Sequence, residues 1–231
     1  MGIRRGSIST PIIADGLVLN MDAANRASYV PDATTTYNTL DLSVSGSFIA
    51  DPQFITQPTS ASCWAFDGID DYIDCGVISD YDNGDLTFSV WVYKTTSGLE
   101  YCVSNSGTSP AAGFSIVVSG ASIYLQRNTR TIDLATGYIN MGFTDNVWHN
   151  IVGSYTDSTT TLKCYLDGVL KYTQVGSAST NSTSLNLKIG KPPNSTSYRL
   201  EGNIANVHIY NKTLSANEVL HNYNALKGRF A

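Results

Sequence analysis

LTFSVWVY, at residues 86–93, is a stretch in which apolar and aromatic side chains fill almost every position. A strand that faces water on one side alternates apolar and polar residues, whereas a strand covered on both sides is apolar throughout. The stretch therefore predicts a β-strand whose two faces are both covered by other parts of the molecule.

Short strand-like segments lie on both sides of this stretch, and most of them are bounded by Gly, Ser or Asn. They are CWAF (63–66), DYIDC (71–75), YCVSN (101–105), GFSIVVSG (113–120), SIYLQRN (122–128), WHNIVGSY (148–155), TLKCYLDG (161–168), LNLKIGK (185–191) and IANVHIY (204–210). No helical pattern separates them. About a dozen strands with short connections predict an all-β fold, a two-sheet antiparallel β-sandwich.

Turn residues separate several of these strands. The acidic turn DGIDD (67–71) stands between two strand-like segments and predicts a hairpin. In LDGVLKY (166–172) the Asp167-Gly168 pair is a strong hairpin signal. Both Asp-Gly pairs are expected to adopt positive φ. Upstream, DGLVLNMDA (15–23) has the alternation of a half-buried strand, and residues 24–60 predict mostly loop with one or two short strands.

One short C-terminal helix is predicted, in LSANEVLHNYNALKGRF (214–230). Ser215 suits the N-cap position, and Glu218 three residues later completes a capping box. Gly228 stands where a C′ glycine belongs. One apolar face consists of Val219, Leu220, Tyr223 and Leu226. We expect this helix to pack over one side of the sandwich.

Composition and charge limit the classes of function. The chain has 231 residues, a net charge of −5 and 14% charged residues. The negative charge argues against a nucleic-acid partner, which needs a clustered basic face. No apolar run approaches the roughly 20 residues of a membrane span. MGIRRGSISTPIIADG (1–16) has no continuous apolar segment, so we expect no secretory signal. Residues 1–14 are predicted to form an extended arm, and residues 15–231 one domain.

Four segments occur in an order that carries a family likeness. They are FDGIDDYIDCG (66–76), LTFSVWVY (86–93), WHNIVGSY with LKCYLDGVLKY (148–172) and LEGNIANVHIYNKTLSANEV (200–219). Together they resemble the laminin-G-like jelly-roll domains of the concanavalin A-like superfamily, over residues 15–227. The resemblance implies a jelly roll whose first strand pairs near the last, with Trp91 and Trp148 as anchors between the sheets.

The two ends of this region carry a second likeness. DGLVLNMDAANRASY (15–29) and LHNYNALKGRF (220–230) are similar to a subset of these domains found in structural proteins of tailed phages. This likeness implies a virion protein, made in the host cytoplasm and placed in a capsid or an exposed appendage.

Candidate catalytic residues are few. Family members that cut polysaccharides carry an E-x-D-x-x-E motif on one strand, which this chain lacks. Its glutamates are Glu100, Glu201 and Glu218, and none has another acidic residue within four positions. A glycosidase needs two carboxylates about 5–10 Å apart, whereas Asp70 and Asp71 would point to opposite faces of a strand. We therefore expect no enzymatic activity and assign no catalytic residue.

The histidines and cysteines show no arrangement typical of a metal or redox site. The cysteines are Cys63, Cys75, Cys102 and Cys164, and we expect buried, reduced thiols. The histidines are His149 and His208 in predicted strands, where we expect them half-exposed, and His221 in the predicted helix.

Aspartates are concentrated between residues 67 and 85, at Asp67, Asp70, Asp71, Asp74, Asp80, Asp82 and Asp85. One interpretation is a Ca²⁺ site, because hard cations take oxygen ligands and laminin-G-like domains often hold one Ca²⁺ at a rim. The other is that aspartate favours turns because its side chain bonds its own backbone. Where family members often carry an acidic pair, this chain has Ala205-Asn206, which weakens any inherited metal site.

Two functions follow as hypotheses. The first is a non-enzymatic virion structural protein, a capsid decoration protein or appendage subunit. The arm at residues 1–14 would then contact a major capsid protein or neighbouring subunits, in a homo-oligomer or larger assembly. The alternative is a lectin-like module for host surface glycans, with or without Ca²⁺, since tyrosine combines an apolar ring with a polar hydroxyl and the chain has 14 of them.

Overall fold

The computed structural model describes residues 11–56, 62–78, 84–106, 113–128, 132–178 and 185–230. In chain order its strands are β1 (Leu17–Asp22), β2 (Thr35–Tyr37), β3 (Ser45–Ile49), β4 (Gln53–Ile55), β5 (Cys63–Asp67), β6 (Tyr72–Asp74), β7 (Leu86–Lys94), β8 (Leu99–Ser104), β9 (Gly113–Ser119), β10 (Ser122–Asn128), β11 (Ile132–Ala135), β12 (Ile139–Asn140), β13 (Trp148–Thr156), β14 (Thr161–Leu166), β15 (Val169–Val175), β16 (Ser177–Ala178), β17 (Lys188–Ile189) and β18 (Glu201–Tyr210). One helix, α1 (Ala216–Leu226), follows them, and short 3₁₀ turns occupy Asp157–Thr159 and Lys227–Arg229.

The strands form two antiparallel sheets, which confirms the predicted two-sheet sandwich. The eight-stranded sheet has the order β15-β14-β13-β7-β18-β5-β4, and β1 also pairs with β18. The ten-stranded sheet has the order β16-β11-β10-β9-β8-β17-β6-β3-β2, and β12 pairs with β10. The first strand therefore lies beside the last, as predicted. Residues 24–56 contribute three short strands, one more than the sequence indicated.

The core lies between the sheets and is built mainly from alternate residues of the longer strands. Phe88 on β7 stacks on Phe114 on β9 with ring centroids 4.6 Å apart, so the two sheets meet directly at these rings. Gly153 makes room for this contact, because a Cβ there would lie 2.4 Å from the Phe88 ring. The stretch 86–93 is buried at nearly every position, which confirms the prediction that both its faces are covered.

The prediction that Trp91 and Trp148 are anchors between the sheets is wrong. Trp91 does not point between the sheets; its ring stacks on Phe230 at 4.0 Å and on Tyr223 at 5.6 Å. Trp148 lies 5.0 Å from the same Phe230 ring. Both tryptophans therefore anchor the C-terminal segment on the outside of the eight-stranded sheet. The indole between the sheets is that of Trp64, which is fully buried in the main core.

Helix α1 begins as predicted and ends differently. Ser215 Oγ accepts from the Glu218 backbone N–H, and the Glu218 carboxylate accepts from the Ser215 N–H, so the capping box is confirmed. Leu220 belongs to the exposed side, so the predicted apolar face is narrower. Gly228 does not end the helix as a C′ glycine, because the chain continues from Lys227 into a 3₁₀ turn. That turn brings Phe230 to Trp91.

The two Asp-Gly turns play different roles. Asp167 and Gly168 both have positive φ and join β14 to β15 in a hairpin, as predicted. At the other pair Gly68 has positive φ but Asp67 does not, so the prediction holds there only for the glycine. The turn at 67–71 is nevertheless not a hairpin, because β5 belongs to the eight-stranded sheet and β6 to the ten-stranded sheet. It carries the chain from one layer to the other.

The start of the described chain lies on helix α1. The Ile13 N–H donates to Asn222 Oδ1 at 2.8 Å, and His221 Nε2 donates to the Pro11 carbonyl at 2.9 Å. Residues 1–10 of the predicted arm, with Arg4 and Arg5, lie outside the described residues. The four cysteines are free and buried, as predicted. Within the described ranges, no helix has the length and apolar character needed to cross a membrane.

Candidate functional site

The outer face of the ten-stranded sheet carries a row of tyrosines. On β10, Ile123 and Leu125 point into the core, so Tyr124 between them points outward. Val117 on β9 pairs with both Tyr124 and Tyr101. The side chains of Tyr101, Val117 and Tyr124 therefore form a row across the neighbouring strands β8, β9 and β10. Val117 is fully buried although it faces away from the core, so the flanking residues close over it.

Two further tyrosines extend the row from connecting segments. The Tyr138 ring lies 5.2 Å from that of Tyr124, and the Tyr198 ring lies 6.4 Å from that of Tyr101. Tyr138 and Tyr198 are 51% and 50% exposed. Burial and the neighbouring phenols raise the pKa of Tyr101, so its hydroxyl stays protonated. We call Tyr101, Tyr124, Tyr138 and Tyr198 the tyrosine face.

Cationic side chains border the tyrosine face on the β17 side. Lys188 Nζ lies 4.8 Å from the ring centroid of Tyr72, and Lys191 Nζ lies 4.4 Å from it. Both distances fit cation–π contacts. The Lys188 ammonium also pairs with Asp74 at 3.5 Å. This part of the sheet thus combines aromatic rings, hydroxyls and positive charge.

The acidic turn forms a compact cluster of Asp67, Asp70 and Asp71. One ligand atom from each lies within 4.8 Å of the others. Asp70 and Asp71 lie in a turn and not in a strand, so the opposite orientation that adjacent strand residues would have does not apply to them. Asp67 Oδ1 accepts from the backbone N–H of Ile69 at 2.7 Å. Asp71 accepts from the N–H of Asp51 at 3.0 Å and of Asp67 at 3.2 Å.

These bonds explain why aspartates occupy the turn. Burial, followed by the charge of Asp67, raises the pKa of Asp71. The carboxylates therefore repel each other while the backbone amides hold them in place. Their oxygens remain of the type that Ca²⁺ prefers, so the donor set fits a hard cation chemically.

The other predicted oxygen ligands lie apart from this cluster. Asp74 bonds Asn186 at 2.9 Å, and Asp85 accepts from the Asp157 N–H at 2.8 Å. Asp80 and Asp82 lie outside the described residues. Ala205 and Asn206 are fully buried. The position of the acidic pair seen in family members therefore faces protein in this chain.

Glu100 and Glu201 come together although they are far apart in sequence. The Glu201 N–H donates to Glu100 Oε2 at 3.1 Å, and Thr96 Oγ1 donates to Glu100 Oε1. Burial raises the pKa of Glu100, while its bond from Thr96 and the nearby Lys94 act to lower it. Since both carboxylate oxygens already accept hydrogen bonds, Glu100 fastens the β7–β8 connection to β18.

The prediction that His149 and His208 are half-exposed is wrong, because both are buried. His149 Nδ1 lies 2.7 Å from Asp167 Oδ2, and His149 Nε2 lies 2.9 Å from Thr144 Oγ1. These distances resemble those of a catalytic triad in which Thr144 would be the nucleophile, His149 the base and Asp167 the acid. However, the Thr144 backbone N–H also donates to Nε2, at 3.2 Å, so the imidazole fastens a loop to the β14–β15 turn.

Sequence reasoning found the abundance of tyrosine but not the tyrosine face. The alternation in SIYLQRN and in YCVSN could have revealed it. This alternation places Tyr124 and Tyr101 on the face of the sheet that points away from the core. The neighbouring order of β8, β9 and β10 would bring these positions together. Tyr138 and Tyr198 lie outside strands, and no local pattern predicts where they fold back.

Comparisons with known proteins identify the family of the chain. A family model described as the concanavalin A-like lectin/glucanases superfamily matches residues 67–220. A search of curated proteins finds no match.

Solved structures show the same fold at low identity. The botulinum neurotoxin serotype D binding domain aligns with a TM-score of 0.63 and 15% identity, over 91% of this chain and 52% of that chain. Trypanosoma rangeli sialidase in complex with sialic acid aligns with a TM-score of 0.63 and 15% identity, over 94% of this chain and 35% of that chain.

A third match is the structure described as "Cell entry of botulinum neurotoxin type C is dependent upon interaction with two ganglioside molecules". It has a TM-score of 0.64 and 14% identity, over 91% of this chain and 51% of that chain. The chain thus spans about half the length of the toxin chains and about a third of the sialidase chain.

Proposed function

The chain belongs to the concanavalin A-like lectin/glucanases superfamily, and from this premise we propose that it is a carbohydrate-binding module whose ligand lies on the tyrosine face. The observation that carries the proposal is the presence of two contacting tyrosine pairs, Tyr101 with Tyr198 and Tyr124 with Tyr138, on one outer sheet surface. Of the two hypotheses drawn from the sequence, this proposal adopts the second, a lectin-like module.

Tyrosine suits this role for a physical reason. Sugar rings present apolar C–H faces and polar hydroxyl edges. A phenol offers an apolar body to the first and a hydrogen-bonding group to the second. The tyrosine face provides both over neighbouring strands, on a rigid sheet that needs no ordering when a ligand binds.

Two of the structural relatives support a sugar as ligand. One is a sialidase in complex with sialic acid, and the other is a toxin whose cell entry depends on two ganglioside molecules. These ligands belong to those proteins. For this chain they motivate a search among glycans before other ligand classes.

A glycan array followed by calorimetry on the best hit tests the proposal. Replacing Tyr101→Ala is expected to weaken binding roughly thirtyfold, because a central aromatic contact is worth about 2 kcal/mol and each 1.4 kcal/mol is tenfold. Tyr37→Ala is the matched control: it removes a 41% exposed tyrosine from β2, at the edge of the same sheet. Equal loss in both variants, or no binding by the wild-type chain, contradicts the proposal.

We propose that the module binds sugar without cleaving it. The Glu100 carboxylate is buried and hydrogen-bonded on both oxygens, which leaves it poorly placed to protonate a glycosidic oxygen. The glycans that bind can be incubated with the chain and assayed for reducing ends. A release of reducing ends that Glu100→Gln abolishes would place the chain among the glucanases.

We further propose that binding does not need Ca²⁺, because backbone N–H groups already satisfy oxygens of Asp67 and Asp71. The free energy of unfolding is expected to be the same with Ca²⁺ and with a chelator. A bound ion at 100 times its Kd would add about 2.7 kcal/mol. Such a gain, if Asp70→Asn removed it, would instead assign a Ca²⁺ site to the acidic turn. Asp51→Asn, outside the cluster, is the control.

The place of the chain in a virion stays a separate prediction from the phage-like ends of the sequence. A glycan-binding head is compatible with it, since exposed virion proteins often bind cell surfaces. The contact of the arm with a capsid protein or neighbouring subunits also stays a prediction, because residues 1–10 lie outside the described residues.

A further inference from the structure

Three cations gather at one border of the tyrosine face. The ammonium groups of Lys188 and Lys191 both lie against the ring of Tyr72. Arg199 is close enough for its charge to lower the pKa of Lys191. One carboxylate, that of Asp74, pairs with Lys188 at 3.5 Å. The Arg199 guanidinium donates to the carbonyl of Ile69 in the acidic turn, which leaves Lys191 as the member with neither a hydrogen bond nor an ion pair among the described residues.

Lys191 is the least compensated member of this group. It is 7% exposed, and among the described residues no hydrogen bond or ion pair involves its ammonium. Its contact is the Tyr72 ring, 4.4 Å away. Burial, then the charges of Lys188 and Arg199, lower the pKa of Lys191. Asp74 acts in the opposite direction and raises it. A cation close to like charges is stabilised when an anion binds beside it.

The backbone places these cations beside the tyrosine face. The Leu200 N–H donates to the Gly190 carbonyl at 2.8 Å, and the Tyr101 N–H donates to the Tyr198 carbonyl at 3.0 Å. Lys191 and Arg199 therefore flank the segment that carries Tyr198. A ligand on the rings of Tyr101 and Tyr198 that extends across β17 toward Tyr72 on β6 would meet the ammonium groups of Lys188 and Lys191.

We propose that the ligand is an anionic glycan, whose carboxylate or sulfate group is bound by Lys191 with Lys188 and Arg199 while a sugar ring packs on Tyr101 and Tyr198. This inference rests on the proposed function and specifies its ligand class. The anion supplies a direct ion pair for Lys191, whose nearest carboxylate, that of Asp74, pairs with Lys188. The tyrosines bind the neutral part of the sugar.

Pairs of glycans that differ only in an acid group test the inference. The probes are sialyllactose against lactose, sulfated against unsulfated lactose, and trigalacturonate against its methyl ester. In at least one pair the acidic member is expected to bind at least tenfold more tightly. Raising the salt concentration should weaken its binding and leave that of the neutral member unchanged, since salt screens charge pairs.

The decisive variant is Lys191→Gln, which removes the charge and keeps most of the length. It should reduce the preference for the acidic member at least tenfold while binding of the neutral member stays within twofold of wild type. Lys171→Gln, an exposed lysine on β15 of the other sheet, is the matched control and should keep the full preference. Thermal unfolding of both variants shows whether each is folded.

The outcomes separate the two proposals. Binding of neutral glycans with no gain from the acid group overturns this inference and leaves the proposed function standing. Failure of every glycan to bind overturns both. An acid preference that persists in folded Lys191→Gln also overturns the inference, because the charge would then be bound elsewhere.

Discussion

The free energy of unfolding is expected to fall by about 3 kcal/mol between about pH 7.5 and pH 4 because of one residue, His208. Its pKa is lowered from 6.5 to about 4. The difference of about 2.5 pKa units, at 1.36 kcal/mol each, sets the size of the effect. The stabilisation is complete above pH 6.5 and is lost as the pH falls toward 4, because over that range the unfolded chain binds a proton that the folded chain does not.

The cause of this low pKa is burial in the eight-stranded sheet. His208 on β18 lies between Asn20 of β1 and Ser89 of β7, and it is 3% exposed. Burial disfavours the imidazolium, and its effect outweighs the attraction of Asp22. The Arg229 guanidinium forms a bidentate ion pair with the Asp22 carboxylate, with both N···O distances 2.8 Å. Arg229 thus offsets the attraction of Asp22 in part, and burial decides the direction of the shift.

Urea unfolding of wild type and His208→Gln across this pH range measures the effect. The variant should lose the contribution of about 3 kcal/mol that His208 makes, and His221→Gln, on helix α1, should retain it. The pKa of Glu218 is lowered to about 2 by its hydrogen bonds with Ser215 and Lys212, so its contribution is lost below pH 4.5. The pKa values of Glu100 and Asp71 are raised, so these carboxyls also contribute to the pH dependence. The difference between the two profiles, and not either profile alone, therefore isolates the histidine. A parallel pH profile in wild type and His208→Gln would disprove the assignment.

The strands were predictable because their signal is local. Alternation in the stretch 15–23 and continuous apolarity in 86–93 report directly on which side chains are covered. The capping box at Ser215 and Glu218 was predictable for the same reason, since all its atoms lie within four residues.

The assignment of strands to sheets was less predictable. The Asp-Gly signal specifies a reversal of the chain but not which sheet receives the next strand. At Asp167-Gly168 the reversal forms a hairpin, and at Asp67-Gly68 it crosses between the layers. Nothing in either pair of residues distinguishes these outcomes, because the difference depends on the distant partners of β5 and β6.

The burial of single residues depended on distant parts of the chain. Trp91 faces outward, yet Phe230 covers it from 139 positions away. The same limitation applies to the candidate site: Tyr101 and Tyr124 follow from alternation, but the approach of Lys191 and Arg199 depends on how residues 190–200 fold back. A sequence pattern gives the face of a strand and not the segment that will lie upon it.

Replacing Trp64→Ala is expected to destabilise the protein by about 3–5 kcal/mol, the cost of removing a large aromatic side chain from a packed core. Trp64 is fully buried, and its ring meets Tyr29 at 6.1 Å and Phe48 at 6.2 Å in edge-on contacts. Within the described part of the chain its indole N–H has no hydrogen-bond partner. Trp64→Phe therefore loses no hydrogen bond and leaves a smaller void, so about 1–2 kcal/mol is expected.

The contrast between these two substitutions identifies what Trp64 contributes. Urea unfolding at equal m-values gives the free energies, so a change in the midpoint reports stability alone. If the indole N–H made a hidden bond, Trp64→Phe would cost nearly as much as Trp64→Ala. If the sandwich closed over the gap, both would cost little. A large cost for alanine with a small cost for phenylalanine means that ring volume between the sheets, and not polarity, makes this position critical for the fold that supports the tyrosine face.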